Sequence, residues 1–125
     1  MDISAATEGF AALSQPTRLL AFRRLIAAHP QGLPAGKIAR LCRVPHNTMS
    51  SHLAALLSAR LVNSQKQGRV VTYRADLAGL RRLVVYLTRE CCGGRVEICA
   101  PLLADIIDPC CFRSEERRVG KECRL

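Results

Sequence analysis

The sequence predicts a mainly α-helical domain carrying one β-hairpin, and three observations predict it. Apolar residues recur at spacings of three and four over most of the first 90 positions, the period of a helix face. Residues 62–75 alternate instead, with Gly68 near the middle, the pattern of two strands around a turn. The apolar content is aliphatic: hydrophobic residues make up 49% of the 125 positions, aromatics only 4%, and Trp is absent. A chain of this length forms one compact domain with room for a tail.

Ile3, Ala6, Phe10 and Leu13 define the apolar face of a first helix. Ser14 is a good N-cap for a second, in whose first turn Pro16 is tolerated. Leu19, Leu20, Phe22, Leu25 and Ile26 line that helix up to "HPQG", where His29 suits the negative end of the helix dipole. A short helix over 35–42 turns Ile38, Leu41 and Cys42 inward, and "RVP" makes a tight turn. Pro45 starts a fourth helix with Met49, Leu53, Leu56 and Leu57 on its apolar face. Its first two turns show His46, Asn47, Thr48, Ser50 and Ser51 on the other. Two helices joined by a tight turn, the second polar at its N-terminal end, suit insertion into a DNA major groove. Val62, Ser64 and Lys66, then Val70, Thr72 and Arg74, alternate with their neighbours as a hairpin. Lys66, Arg69 and Arg74 stand near its tip or edges, where a wing lies along phosphates. Asp76 can cap a last helix, on which Leu77, Leu80, Val84 and Leu87 form a stripe with Cys91 next in register and Leu83 and Val85 widening it. So apolar a helix in so small a chain needs a partner, and a second copy joined through the first and last helices supplies one. The expected fold is a winged helix-turn-helix that dimerises through its N- and C-terminal helices.

A net charge of +9 and a pI of about 9.8 favour an anionic partner. Residues 113–125 are set aside, because Arg113–Cys123, "RSEERRVGKEC", resembles the in-frame translation of a common sequencing adaptor. Without this tail, residues 1–112 still carry +7. No run approaches the roughly 18 apolar residues of a membrane span, so no membrane partner is expected. The N-terminus, with Asp2 and no basic region before an apolar stretch, does not read as a signal peptide. A cytoplasmic location follows, where thiols stay reduced and seven cysteines suggest metal binding or sensing over disulfides. No His follows His52 to serve Cys99 as a base, and P-loop, G-x-G-x-x-G and H-E-x-x-H patterns are absent. The chain is therefore not expected to be an enzyme.

With these elements in order, the sequence resembles the ArsR/SmtB family of winged-helix metalloregulatory repressors. "SSHLAALLSARLV" is similar to the family's recognition-helix stretch, with Ser50, His52 and Leu53 at its S-x-H-L core. "QKQGRVVTYRA" is similar to its wing, with Gly68, Arg69 and Tyr73 matching, and "SQPTRLLAFRRLI" to its second helix. The resemblance covers about residues 8–92. It implies a homodimer on palindromic double-stranded operator DNA, released by an inducer. His46, Asn47, Thr48, Ser50, Ser51 and His52 would then face DNA from the recognition helix, and Lys66, Arg69 and Tyr73 from the wing. His52 also has a packing reading. Two features depart from the family. Arg60 stands where a Gly is usual, which asks a non-glycine residue to adopt positive φ. The arsenic box in the helix before the turn is missing, for "KIARLC" holds only Cys42, and so is the zinc pattern on the last helix, for no His follows His52. Cys42 reads as a small buried hydrophobe.

The remaining motif is "CCGGRVEIC", residues 91–99. Gly93-Gly94 ends the helix and lets the chain reverse, so Cys91, Cys92 and Cys99 can converge. Tetrahedral zinc wants four protein ligands, or three and water. Three thiolates without a fourth suit a soft pyramidal ion such as trivalent arsenic or antimony. Zinc completed by Cys110 or Cys111, and a thiol redox sensor, remain alternatives. The motif also resembles the C-terminal inducer box of an arsenic-responsive branch of the family. That likeness implies Cys91, Cys92 and Cys99 as ligands of arsenite, methylarsenite or antimonite, and no organic cofactor. The expected organisation is a DNA-binding and dimerisation domain over 1–90, an inducer segment over 91–112 and a non-native tail over 113–125.

Overall fold

The structure is a computed structural model that describes residues 1–90 together with Pro101. Its described elements run α1 (Ile3–Leu13), α2 (Pro16–Ala27), β1 (Leu33–Pro34), α3 (Ala35–Cys42), α4 (His46–Ser58), β2 (Val62–Gln67), β3 (Val70–Ala75) and α5 (Leu77–Val85). All lie in the compact unit Met1–Tyr86. A π-helical turn, Tyr86–Glu90, follows α5.

Helix starts follow local chemistry. Asp2 caps α1, its Oδ1 accepting from the Ala5 N–H at 2.8 Å. Gln15, rather than Ser14, caps α2, its Oε1 accepting from the Arg18 N–H at 2.8 Å. The reason is Pro16 at the first helical turn, which pushes the preceding residue into extended backbone. Gln15 has φ −116° and ψ 130°, the geometry a cap residue needs. Ser14 closes α1 instead, its hydroxyl donating to the Ala11 carbonyl at 2.9 Å. Asp76 caps α5 as the sequence predicts, with its Oδ1 accepting from the Gly79 N–H at 3.2 Å.

The core gathers one apolar stripe from each helix. Phe22 and Leu25 come from α2, Ile38 from α3, and Met49, Leu53 and Leu56 from α4; Leu61, Val62 and Ala75 join them from the sheet side. On α1 the buried residues are Ala6, Gly9 and Ala12, a face rotated from the predicted one. The cause is close approach: a Cβ on Gly9 would lie 2.8 Å from Leu83 Cδ2 of α5. Only small residues fit there, so Ile3, 71% exposed, and Phe10, 39% exposed, are left outside. On α5 the buried side chain is Leu83, while Leu77 and Val84 of the predicted stripe are exposed. Leu41 on α3 is also exposed, unlike Ile38 of the same helix.

The three strands form an antiparallel sheet in the order β1-β3-β2. The hairpin runs from Val62 opposite Ala75 to Gln67 opposite Val70, with Gly68 at φ 64° in its turn. β1 pairs Leu33 with Tyr73 and Pro34 with Thr72. A two-residue strand has no alternation to read, and its proline is tolerated because the strand lies at the edge.

Candidate nucleic-acid interface

α4 sits on the core through Met49, Leu53 and Leu56, each fully buried. Successive residues of a helix turn by about 100°, so Asn47, Ser51 and Ala54 point opposite that stripe. His46, Thr48 and Ser50 flank them, and all six are exposed. His52 is half-buried at the edge of the face. The outer face thus carries short donors and acceptors with no bulky side chain ahead of them, as entry into a groove requires. Asn47 Oδ1 accepts from the Thr48 N–H at 3.0 Å, which orients its amide at the first turn.

The turn before α4 is tight because Arg43 closes α3 in the left-handed conformation, φ 60°. Its N–H donates to the Arg40 carbonyl at 3.2 Å, and the Val44 N–H to the Ala39 carbonyl at 3.1 Å. These bonds place Arg43 between the two helices, exposed. A Cβ on Gly36 would lie 3.7 Å from Arg40 Nη1 and 3.9 Å from His46 Cδ2. The guanidinium of α3 and the imidazole of α4 therefore hang over one spot. Lys37, Arg40 and Arg43 are exposed cations on α3 and the turn before α4, and they belong to no motif of the sequence. The signal for them is charge: Gly9–Ala75 contains Arg18, Arg23, Arg24, Lys37, Arg40, Arg43, Arg60, Lys66, Arg69 and Arg74, and no Asp or Glu.

In the wing, Lys66 and Arg69 are exposed, Arg69 at the tip. Tyr73 lies lower, half-buried against the core and paired with Leu33. Arg74 is already engaged, since its Nε donates to the Pro30 carbonyl at 3.0 Å and its Nη1 to Gln65 Oε1 at 3.0 Å. It ties the wing to the loop after α2 and is not a free phosphate ligand.

Cys42 is half-buried against the core. Burial pushes its thiol above the ordinary range, and the nearby Arg24 offsets this only in part. A thiol held protonated is a poor metal ligand. Among the described residues no group of three or more His, Cys, Asp or Glu side chains is placed to hold a metal. Cys91, Cys92 and Cys99 lie outside the described residues. No described helix is long and apolar enough to cross a membrane.

A helix-turn-helix domain family model matches residues 13–65, which spans α2 to β2. Among solved structures, the chain is similar to an ArsR-like transcriptional regulator from Rhodococcus sp. RHA1. That match has 28% identity, a TM-score of 0.61, and covers 85% of this chain and 95% of that one. It is also similar to a homodimeric winged helix-turn-helix DNA-binding domain from Mycobacterium bovis, at 23% identity and TM-score 0.58, covering 66% of this chain and 75% of that one. A third is reduced HlyU from Vibrio cholerae, at 21% identity and TM-score 0.55, covering 67% and 86%. No curated protein matches the chain. Helix order, hairpin wing and these likenesses agree: the chain has the winged helix-turn-helix fold of the ArsR-like transcriptional regulators.

Proposed function

We propose that this protein is an ArsR-family transcriptional repressor that binds double-stranded operator DNA as a homodimer and is released by trivalent arsenic or antimony. The observation that carries the DNA reading is the exposed polar face of α4, set with the wing inside a stretch of ten cations and no acid. Asn47 and Ser51 at the centre of that face meet base edges, with His46, Thr48, Ser50 and His52 around them. Lys66 and Arg69 hold phosphates from the wing, and Tyr73 supports its base. The exposed Ile3, Phe10, Leu77 and Val84 supply the apolar seam for a second copy. Such a dimer carries two recognition helices at a fixed spacing and asks for a two-fold operator.

Cys91, Cys92 and Cys99 are the inducer ligands in this proposal, because three thiolates suit a soft pyramidal ion. Arsenite, methylarsenite and antimonite are the candidate inducers. Metalloid at the end of the dimer helix changes the spacing of the recognition helices, and linkage makes the effect reciprocal: DNA weakens metalloid binding by the same factor. The same three thiols support a second reading, a redox or zinc-responsive repressor on this fold.

One titration tests both. A duplex selected from a randomised library is followed by fluorescence anisotropy as arsenite, methylarsenite, antimonite, zinc or peroxide is added. Release by arsenite that disappears in Cys99→Ser supports the proposal. Release by peroxide alone, reversed by a reductant, replaces it with redox sensing, and release by zinc alone replaces it with zinc response. Failure to select any duplex sinks the DNA reading itself.

A further inference from the structure

A groove of about 440 Å³ opens where α1, the end of α4 and α5 meet. Its floor is Leu83 and Gly79, both buried, and Ala5 and Ala59 flank them. Its rim carries Arg60 and Arg82, both exposed. Neither guanidinium has a side-chain hydrogen bond or ion pair among the described residues. One acid, Glu8, also stands at the rim, and the Ser58 hydroxyl donates to its Oε2 at 3.4 Å. The volume falls within the range of small-molecule sites, about 300–1,000 Å³. An apolar floor under two guanidiniums that have no side-chain partner among the described residues calls for a ligand with an apolar body and one anionic head.

The groove is also separate from the apolar seam. At about 100° per residue, Ala5 and Glu8 lie on the opposite side of α1 from Ile3 and Phe10. Gly79 and Arg82 likewise face away from Leu77 and Val84 on α5. A second copy seated on the seam leaves the groove open.

Its walls join two working parts. Ser58, Ala59 and Arg60 close the recognition helix, and Gly79, Arg82 and Leu83 belong to α5. They touch directly: a Cβ on Gly79 would collide with the Arg60 carbonyl oxygen. The Asp76 N–H also donates to the Leu61 carbonyl at 2.8 Å. An occupant spanning both walls would touch the end of α4 and α5 at once.

We propose that this groove is an effector site for a small amphipathic carboxylate, whose head pairs with Arg60 and Arg82 and whose chain lies on Ala5, Ala59 and Leu83. Bidentate pairing with a guanidinium favours a carboxylate over a neutral head. The influence on DNA rests on the repressor reading; binding to the groove does not.

The test uses the full chain without DNA. Sodium octanoate, 1-octanol and octylammonium are titrated against ¹⁵N-labelled protein, and amide shifts are followed. Saturable octanoate shifts centred on Ser58–Arg60 and Gly79, absent with the other two probes, are expected. Arg60→Gln with Arg82→Gln weakens octanoate binding at least tenfold, and Ala5→Phe, on an exposed helix position, abolishes it by filling the groove. Equal binding of octanol, unchanged affinity in the double variant, or shifts confined to the Ile3–Phe10 seam would overturn the site. If the protein binds no operator while octanoate still shifts these amides, only the repressor reading falls.

Discussion

Replacing Arg60 with glycine should stabilise the protein. Arg60 follows α4 with φ 62°, and its N–H donates to the Leu57 carbonyl at 3.0 Å. A left-handed conformation costs a residue with a Cβ about 1–2 kcal/mol. Glycine escapes that cost but loses about 0.5–1 kcal/mol more conformational entropy on folding. The guanidinium is exposed and makes no described side-chain bond, so little else is lost. The difference leaves a net gain of about 0.5–1 kcal/mol. For a domain of this size each kcal/mol moves Tm by about 4–8 °C, so thermal unfolding at fixed protein concentration should rise by about 2–8 °C. Arg60→Ala provides the control: it removes the same side chain and keeps the strain, so its Tm should fall within a degree or two of the parent. A Tm for Arg60→Gly below that of Arg60→Ala would refute the reasoning, because the φ would then not be the source of strain. Chemical denaturation with unchanged m-value checks that the gain lies in the folded state.

Gly79→Ala and Gly9→Ala separate two kinds of close approach: the first drives a Cβ into backbone, the Arg60 carbonyl, while the second meets the movable end of Leu83. Urea unfolding should show a loss of more than about 3 kcal/mol for Gly79→Ala and about 1 kcal/mol for Gly9→Ala, on the scale of core overpacking. For the wing, Lys66→Ala or Arg69→Ala should lower the slope of log K against log salt by about 1 without changing the preferred duplex, whereas Asn47→Ala should relax sequence preference at about constant slope. For Cys42, the raised thiol means the folded state favours the protonated form. Its contribution to stability is therefore present below the ordinary thiol range and is lost as pH rises through the folded value. Cys42→Ala should flatten the alkaline limb of a stability-against-pH curve, and a limb identical to the parent's would show that another group causes it.

Local chemistry alone was enough for much of this molecule. The periods of three and four located the helices, and α3 spans the predicted 35–42. Proline at the start of α2, Asp76 before α5 and Gly68 in the hairpin acted where they stand, because caps and turns depend on a few neighbouring residues. The polar first turns of α4 were legible for the same reason: a helix face is a matter of spacing along one segment. The positive φ at Arg60 matches what the resemblance implies, because the family that the sequence resembles usually has glycine at that position.

Tertiary structure decided what depends on distant neighbours. Which face of α1 is buried follows from how closely Leu83 approaches Gly9, so the larger Ile3 and Phe10 point outward although the spacing suggested otherwise. β1 exists because β3 offers Leu33 and Pro34 a partner, not because two residues prefer a strand. Arg74 reads in the sequence as one more cation near the edge of the wing, but the fold brings Pro30 and Gln65 to it. The groove under Arg60 and Arg82 has no sequence signature, since its walls come from three helices separated by dozens of residues. Spacing along a chain records what each segment prefers to bury; only packing determines which of those preferences can be met together.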